Sequence, residues 1–341
     1  MANLFPARAR INPHFAEPDL IVTYAQASGA FEALQGGKPR VKIGQDDLYV
    51  YVNSLDLRTE AQASGAAPNF LPSATLVGDQ FSTATYLVRT RSIWDRHDIA
   101  AAANYNVSLP AAQTLAARQG HAQQYRTALL YGYQPANGEG LLNAPAATQV
   151  TLPPDPFGNT TFSSYDNGAM ALFLLTQIVN LKIGMFQSGG KIHNRIVVIS
   201  PQRIFLQAQI ANIVQVTAYQ RPGAGTSTTA NVAQENLAAA GDDLVWFFDD
   251  SLIGKGSGGS DAVILTIPEI EVPDIPGINT NVFGETQPSM KAVNVQYASM
   301  AAPIEIPTPT EDGAITTVYE NRISAGWNVR GAGLFILNIP H

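Results

Sequence analysis

Three glycines form the sequence's nearest match to a motif that performs chemistry. Gly254, Gly256 and Gly259 fit the pattern G-x-G-x-x-G, which lets the backbone of dinucleotide-binding proteins approach a pyrophosphate closely. In those proteins the glycines lead into a helix, because the helix N-terminus binds the phosphates. Here they precede residues 262–267, whose sequence AVILTI predicts a strand. We therefore interpret the glycines as the tip of a hairpin and expect no cofactor.

Two pairs of carboxylates are the best candidates for a metal site. Asp242 with Asp243, and Asp249 with Asp250, supply the oxygen ligands that Ca²⁺ or Mg²⁺ prefers. Their spacing matches no known metal-binding loop, so a solvated or inter-subunit acidic cluster is the favoured interpretation. The histidines show no paired ligand spacing, so no metal site is predicted and we interpret them as surface or interface residues: His14, His97, His121, His193 and His341.

The tryptophans could act as stacking platforms for single-stranded nucleic acid. None of Trp94, Trp246 and Trp327 has Lys or Arg as an immediate neighbour, so we interpret them as core or interface anchors. The sequence also contains no phosphate-binding P-loop and no G-x-S-x-G nucleophile elbow. We therefore predict no catalytic residue and no enzymatic activity.

The low charge content limits the possible functions most strongly. Asp, Glu, Lys and Arg make up 14% of the 341 residues, against roughly a quarter in an ordinary soluble domain. The most apolar segment, residues 169–186, is interrupted by polar side chains, so we interpret it as a helix buried in protein and expect no membrane association. Much of the surface must then face other proteins, which suits a large assembly of identical chains.

Cysteine content indicates the compartment in which the protein folds, and net charge indicates whether it binds nucleic acid. Cysteine is absent, which excludes disulfides and thiolate metal sites and fits folding in a reducing cytoplasm. The formal net charge is −7 and the isoelectric point is near 5.2, which argues against a broad basic face for nucleic acid. Any contact with packaged DNA would therefore be loose and non-specific.

Strands and helices follow one another irregularly along the chain, which predicts an α+β fold. Residues 1–45 carry Pro and Gly around short apolar runs and are interpreted as an arm that lies over other structure. The β-rich runs 46–52 and 81–94 predict a long hairpin, with residues 64–79 as its polar tip. A two-stranded ribbon of this length is marginal alone, so we expect it to rest on a neighbouring element or subunit.

Helical periodicity predicts two main helices. The first has Ser108 as its N-cap and runs to Gly132. The second begins after Asp166, reaches about Lys182 and is apolar on almost every side, so its partner must cover more than one face. The apolar residues that recur along the first helix form its predicted buried stripe: Ala111, Leu115, Ala122, Tyr125 and Leu129. Further strands are predicted at residues 196–199, 244–248, 262–267, 315–319 and 333–339, with a short helix after Pro201.

In this order, the elements resemble the major capsid proteins of tailed bacteriophages, which have the Hong Kong-97-like fold. Three motifs carry the resemblance: YGYQPANGEGLLNAP at residues 131–145, RIVVISPQRIFLQAQ at 195–209 and NRISAGWNVRGAGLFILNIPH at 321–341. More narrowly, the chain is similar to the phage and prophage capsid family once catalogued as a domain of unknown function. The resemblance implies an N-terminal arm at residues 1–45, an extended E-loop at 46–95, a peripheral domain at 96–165 with 301–341, and an axial domain at 166–300.

The resemblance also implies a function without catalysis. Such a protein self-assembles in the bacterial host cytoplasm into hexamers and pentamers, which form the icosahedral head of the virion around double-stranded DNA. A portal is an implied partner. A separate scaffold or cement protein is expected, because the chain begins with Met and goes directly into arm-like sequence. A covalent link between subunits through an E-loop lysine is not expected, because residues 46–95 contain no lysine and arginine is a poor nucleophile.

Two other functions stay open. An encapsulin-like nanocompartment shell has the same fold and encloses enzyme cargo instead of a genome, and the sequence hardly separates it from a phage capsid. A soluble α+β enzyme is a third interpretation, against which the missing nucleophile, metal and phosphate motifs argue.

Overall fold

The computed structural model describes residues 30, 33–34, 41–58, 75–103, 108–185, 194–210, 212–213, 227–239, 241–271, 291–311, 313–329 and 331–341. The helices in these ranges are α1 Arg96–Ala103, α2 Leu109–Leu130, α3 Asn167–Met185, α4 Gln202–Ile210 and α5 Thr229–Ala239. The strands are β1 Val41–Lys42, β2 Tyr49–Arg58, β3 Thr75–Trp94, β4 Thr148–Thr151, β5 Arg195–Ser200, β6 Asn212–Ile213, β7 Ser227–Thr228, β8 Asp243–Phe248, β9 Asp261–Thr266, β10 Glu269–Glu271, β11 Lys291–Val293, β12 Val295–Gln296, β13 Ala298–Ser299, β14 Ile304–Pro309, β15 Ile315–Ser324, β16 Trp327–Asn328 and β17 Leu334–Ile339. The predicted α+β class is confirmed.

A mixed five-stranded sheet, in the order β4-β17-β9-β5-β8, forms the centre of the larger core. Its three inner strands pair antiparallel, with Ile264 opposite both Ile336 and Ile199. Its two edge strands, β4 and β8, pair parallel to their neighbours. The inner strands are continuous runs of β-branched and apolar residues, which is the pattern of strands covered on both faces.

Alternation along the inner strands divides their side chains between two hydrophobic clusters. On β5, Ile196 and Val198 join one cluster, while Val197 and Ile199 join the other. The helices α3, α4 and α5 cover the first face. The second face packs against the end of α2, the loop after it and three residues near the start of the chain: Ala30, Ala33 and Leu34. Other residues of the predicted arm, 1–29, 31–32 and 35–40, lie outside the described residues.

Helix α3 begins as the sequence predicts. The Asp166 carboxylate accepts a hydrogen bond from the Ala169 backbone nitrogen at 2.8 Å, which caps the first turn. Its buried side contributes Met170, Phe173, Ile178 and Leu181 to the first cluster, among others. An apolar stripe on the other side stays exposed within this chain: Leu172, Val179 and Ile183. The expectation that partners cover more than one face of the helix stays a prediction.

Within the described residues, one helix is long and apolar enough to cross a membrane. It is α3, over residues 168–185, and 44% of this segment is buried inside the protein. A core helix of a soluble protein passes the same test of length and composition. The contacts of α3 with the first hydrophobic cluster favour that interpretation.

A second sheet has the order β1-β13-β15-β3-β2, with β14 also paired to β15. Strands β2 and β3 form the predicted hairpin, with Tyr49 opposite Ala84 at one end and Arg58 opposite Thr75 at the other. The strands are longer than expected, since the predicted tip included residues 75–79, which belong to β3. The remaining tip residues, 64–74, lie outside the described residues, as do residues 59–63.

The chain divides into two compact units. The first comprises residues 1–26, 89–122 and 305–319, and the second comprises residues 27–88, 123–304 and 320–341. The five-stranded sheet joins strands that the predicted domain boundaries separate, because β4 and β17 pair in it with β5, β8 and β9. The assignment of segments to an arm, an E-loop, a peripheral domain and an axial domain stays a prediction.

Helix α2 has the predicted extent but a different buried side. Leu115 is 44% exposed, and Ala111 and Ala122 are also exposed, so the predicted stripe is wrong at these three positions, whereas Leu129 is buried as predicted and Tyr125 is half-buried. The buried positions before its last turn are Ala117 and His121, which lie four residues apart and share a face. The small Ala117 side chain allows close packing there, which apolar periodicity alone does not reveal.

Candidate self-assembly surface

The outer face of the hairpin exposes large side chains at its base. Leu48 is 61% exposed, Tyr49 58% and Tyr51 63%. Val50, between the two tyrosines, points to the opposite face and is buried with Ile43 and neighbouring residues. Since β2 is also the edge strand of its sheet, it presents both unpaired backbone groups and apolar surface. These three residues, Leu48, Tyr49 and Tyr51, are called the hairpin patch below.

Hydrogen bonds fix the base of the hairpin to the second compact unit. The Arg322 guanidinium donates to the Thr85 hydroxyl at 3.0 Å and to the Asp47 carbonyl at 3.4 Å. The Thr85 backbone nitrogen donates to the Leu48 carbonyl at 3.0 Å, which closes the ladder next to the patch. These hydrogen bonds therefore fix the position and direction of the hairpin base relative to β15 of the same unit.

A second anchor joins β3 to the loop after α2. The Tyr86 hydroxyl donates to Glu139 Oε1 at 2.6 Å, and the other oxygen of Glu139 accepts from the Gln134 backbone nitrogen at 2.9 Å. Burial and the hydrogen bond to the Glu139 carboxylate raise the pKa of Tyr86 far above its usual value, so the hydroxyl keeps the proton that it donates. The Tyr86 ring also lies against Tyr133, with centroids 4.7 Å apart.

The loop that holds Glu139 depends on two glycines. Gly132 and Gly140 have φ of 68° and 84°, which side-chain-bearing residues rarely adopt. A Cβ on Gly140 would lie 2.4 Å from the Gly132 nitrogen, so the two backbones meet where only glycine fits. Asn143 closes the turn by donating to the Tyr131 carbonyl at 2.7 Å. The motif at residues 131–145 is therefore a rigid support for the hairpin base.

Two of the four candidate carboxylates, Asp242 and Asp249, are buried within the chain, so the interpretation as a solvated or inter-subunit cluster is wrong for these two. Asp242 is buried and forms an ion pair with Lys182 of α3. Asp249 is buried and accepts from the Ser251 backbone nitrogen at 3.0 Å, and Asp250 accepts from the Gln202 backbone nitrogen at 2.8 Å. Asp243 is exposed at the start of β8. In the described ranges, no three His, Cys, Asp or Glu side chains are grouped to hold a metal.

The glycine pattern leads into a strand, as predicted, but it is not the tip of a hairpin, because β5 lies between β8 and β9 in the sheet. Gly259 ends a turn that leads directly into β9, not into a helix. The nearest buried carboxylate, Asp261, accepts hydrogen bonds from the Arg203 guanidinium and from the Gly254 backbone nitrogen at 2.9 Å, so it stabilises this turn. The pattern is thus structural.

The histidines and tryptophans have different environments. His97 and His341 are exposed, but His121 is 2% exposed, so its interpretation as a surface or interface residue is wrong. Trp94 is buried, and Trp327 packs against the small cluster that includes Val50. Trp246 lies against Phe205, with ring centroids 5.3 Å apart. His14 and His193 lie outside the described residues.

No family model matches this chain, and no curated protein matches it significantly. Its structure is similar to the capsid of Myoviridae phage XM1, at 13% identity and a TM-score of 0.64, over 95% of this chain and 96% of that one. It is also similar to the capsid of cyanophage P-SCSP1u, at 9% identity and a TM-score of 0.56, over 100% of both chains. The chain has a phage capsid fold.

A capsid of another kind shows the same likeness. The capsid of an empty GTA particle is 10% identical, with a TM-score of 0.56, over 97% of this chain and 96% of that one. At these identities the likeness concerns the path of the backbone and not particular side chains. The capsid fold spans nearly the whole chain, as the order of elements in the sequence predicted.

Proposed function

We propose that this protein is the major capsid protein of a tailed phage, which self-assembles into hexamers and pentamers of an icosahedral head around double-stranded DNA. The capsid fold is the observation that supports the proposal. In each similar structure described above, the likeness covers at least 95% of this chain and at least 96% of the other chain. No step of this function needs catalysis. The protein acts by binding copies of itself, and its place is the capsid of the virion.

The hairpin patch supports the same proposal. A monomer in water gains nothing from holding Leu48, Tyr49 and Tyr51 exposed on a rigidly anchored base. In a shell, the hairpin acts as the E-loop and buries this face on the adjacent subunit, where large aromatic side chains contribute most to binding. The low charge fraction of the chain, 14%, has the same explanation, because surface that is buried between subunits carries few charges.

The remaining assignments belong to this proposal. Residues 1–45 act as the arm, residues 96–165 with 301–341 as the peripheral domain, and residues 166–300 as the axial domain. Strands β4 and β17 come from the peripheral segments but pair in the five-stranded sheet with strands of the axial segment. A scaffold or cement protein and a portal complete the particle, and contact with the DNA is loose because the chain carries a net charge of −7. Assembly takes place in the host cytoplasm.

A nanocompartment shell is the alternative function. The similar structures described above come from capsids of phages and of a GTA particle, which favours a capsid. Purified particles distinguish the two, since a phage head encloses nuclease-protected double-stranded DNA when produced with its packaging proteins, whereas a compartment encloses an enzyme.

The proposal is tested by assembly of the purified protein. We expect sedimentation to show capsomers or particles and negative-stain microscopy to show shells or tubes. A 36.4 kDa species alone at micromolar concentration would contradict the proposal. Catalytic activity that resides in such a monomer would support the enzyme interpretation instead.

A further inference from the structure

Helix α3 carries a line of side chains that stays exposed within its own chain. Leu172 is 67% exposed and Ile183 66%, and Thr176 and Val179 lie exposed between them. The four residues follow one another at intervals of four, three and four positions, which places them in one line along a helix. Single exposed apolar residues are ordinary on a protein surface, but a contiguous set of them marks a contact surface. These four residues are called the α3 stripe below.

The helix keeps its one charged side chain in an ion pair. Lys182 is the only charged residue of α3, and its ammonium group pairs with the buried carboxylate of Asp242. The other described positions that are exposed on the helix are Gly168, Asn180 and Gly184, and none of them is charged. A partner can therefore cover the stripe without removing water from a charge, which is the most costly part of burying polar surface.

The polar member of the stripe also has its hydrogen bond within the helix. The Thr176 hydroxyl donates to the Leu172 carbonyl at 2.7 Å. A Thr hydroxyl that bonds to the carbonyl one turn earlier has a partner for its proton in its own helix. The hydroxyl keeps this partner when another surface covers the stripe, so its burial costs little.

The stripe lies on the side of α3 that faces away from the core of its own subunit. The opposite side packs in the first hydrophobic cluster through Phe173, Ile178 and Leu181, among others. The sequence of the helix, which is apolar on almost every side, predicts partners on more than one face. The first cluster is one of these partners, and the stripe is the face that still lacks one in the described part of the chain.

An assembly of identical chains requires a further contact of this kind. One type of contact between copies gives a dimer, a closed ring or an open filament, so a closed shell of capsomers needs at least two types. The hairpin patch supplies one of them in the proposed shell. The uncharged α3 stripe suits a second contact between identical chains, because partners of a different kind are usually selected by complementary charges.

We propose that the α3 stripe is buried against a second copy of this chain in the assembled particle. The proposal rests on the proposed self-assembly and adds a contact surface to it. The stripe and the hairpin patch belong to different layers, since α3 covers the five-stranded sheet and β2 is an edge of the other sheet. Each surface can therefore be disrupted without the other.

Labelling of single cysteines with a maleimide tests the contact, because the chain contains no other cysteine. We expect Val179→Cys to react readily in unassembled subunits and about tenfold more slowly in assembled particles, because the core of an interface excludes solvent. The matched control is Glu235→Cys on α5, which covers the same face of the sheet. Its native charge favours water, so the labelling rate at position 235 should be similar before and after assembly.

A charge placed in the stripe gives a measurement that is independent of cysteine chemistry. Val179→Asp should lower the yield of particles by about tenfold or more, because assembly would bury a carboxylate without a partner. The unassembled subunit should keep its helical signal by circular dichroism, since position 179 is exposed there. The control Glu235→Lys should leave both the yield and the helical signal unchanged.

The outcomes separate this contact from the proposed function. Equal labelling of position 179 before and after assembly, or a normal yield of Val179→Asp particles, would overturn the contact and leave the capsid function intact. Slow labelling of position 179 already in unassembled subunits would also overturn it, because a segment of the same chain would then cover the stripe. Protection that requires phosphatidylcholine vesicles or a second protein would likewise overturn it. Failure of the wild-type protein to assemble would instead contradict the proposed function.

Discussion

The five-stranded sheet and the hairpin are both built from apolar strands, but they differ in where their contacts are found. Every residue of β9 and β17 is buried within the chain, on both faces of the sheet. The hairpin buries Val50 on one face and exposes Tyr49 and Tyr51 on the other. Apolar sequence in the sheet therefore stabilises the fold of one subunit, whereas apolar sequence in the hairpin patch is available to another. Substitutions in the two regions should affect different measurements.

The largest effect is expected from the hairpin tip. Replacing residues 59–74 with Asn-Gly joins Arg58 to Thr75, which already face each other in the register, through a two-residue turn that suits a hairpin. We expect closed shells to be lost completely, because the proposed E-loop would be too short to reach across the adjacent subunit. Electron microscopy measures the shells, and circular dichroism should show that the helical signal persists. Normal shells would contradict the E-loop assignment, and loss of both signals would place residues 46–95 in the core.

The second effect concerns what holds the hairpin to its neighbour. Since residues 46–95 contain no lysine, the contact should be non-covalent. Boiling assembled particles in detergent should therefore release single chains completely. A ladder of linked oligomers on the denaturing gel would show a covalent bond that the sequence does not provide through an E-loop lysine.

A matched pair of substitutions compares the five-stranded sheet with the hairpin patch directly. Ile264→Ala removes a fully buried side chain from the middle of the sheet and should lower the free energy of unfolding by about 2–5 kcal/mol. Tyr51→Ala removes a mostly exposed side chain and should change it by less than about 0.5 kcal/mol, yet reduce the yield of shells. Urea unfolding of the unassembled subunit and microscopy of the particles measure the two effects. Equal destabilisation by both variants would remove the distinction between the regions.

The anchor at the hairpin base should give an intermediate result. Tyr86→Phe keeps the ring against Tyr133 but removes the hydrogen bond to Glu139, which should cost about 1 kcal/mol because the site is partly exposed. The shells should still form but dissociate at lower urea. The control is Tyr133→Phe, whose hydroxyl makes only long contacts of 3.4 Å and 3.5 Å with Gln124. A larger effect from the control would show that the Tyr133 hydroxyl contributes more to this anchor than the bond from Tyr86 to Glu139.

Local patterns predicted much of this fold. The hairpin, α2, α3 and the unit of β5 and α4 follow from apolar periodicity, caps and the Ser-Pro stop at residues 200–201. Helix α1 was not predicted, because its sequence RHDIAAAA has no apolar stripe, and it buries no residue. Helix α5 was not predicted either, because its start lies in a Gly-, Ser- and Thr-rich segment that resembles a loop.

The candidate surface was harder to predict because its contacts are distant in sequence. Tyr86 and Glu139 are 53 positions apart, and Glu139 stands in the motif at residues 131–145 without any sign there that Tyr86 is its partner. The carboxylate pairs attracted attention by their spacing, but Asp242 is satisfied by Lys182, which lies 60 positions away. Residues that lie close together in sequence form a chemical site only when the fold also brings their side chains together.

The smallest effect is expected on the pH dependence of stability, which His121 should change in the subunit without changing assembly. Burial lowers the pKa of His121 below its usual value, while a hydrogen bond to the Tyr319 backbone opposes this shift. The unfolded chain therefore binds a proton more readily than the folded one, so the stabilising contribution is present above about pH 6.5 and is lost as pH falls toward the lowered pKa. His121→Gln should flatten the pH dependence of the free energy of unfolding, measured by urea unfolding between pH 7.5 and 5.5, by about a few tenths of a kcal/mol per pH unit.

A neighbouring substitution tells this titration from a loss of packing. Thr114 and Tyr319 share a hydrogen bond of 2.9 Å beside His121, and the Thr114 side chain carries no ionisable group. Thr114→Val should therefore lower the midpoint equally at every pH, whereas His121→Gln should change its slope. A slope that stays the same in His121→Gln would mean that the acid response of the subunit arises elsewhere. If the slope flattens in unassembled subunits while the pH dependence of shell assembly is unchanged, the two properties depend on different residues, as the contrast between the sheet and the hairpin requires.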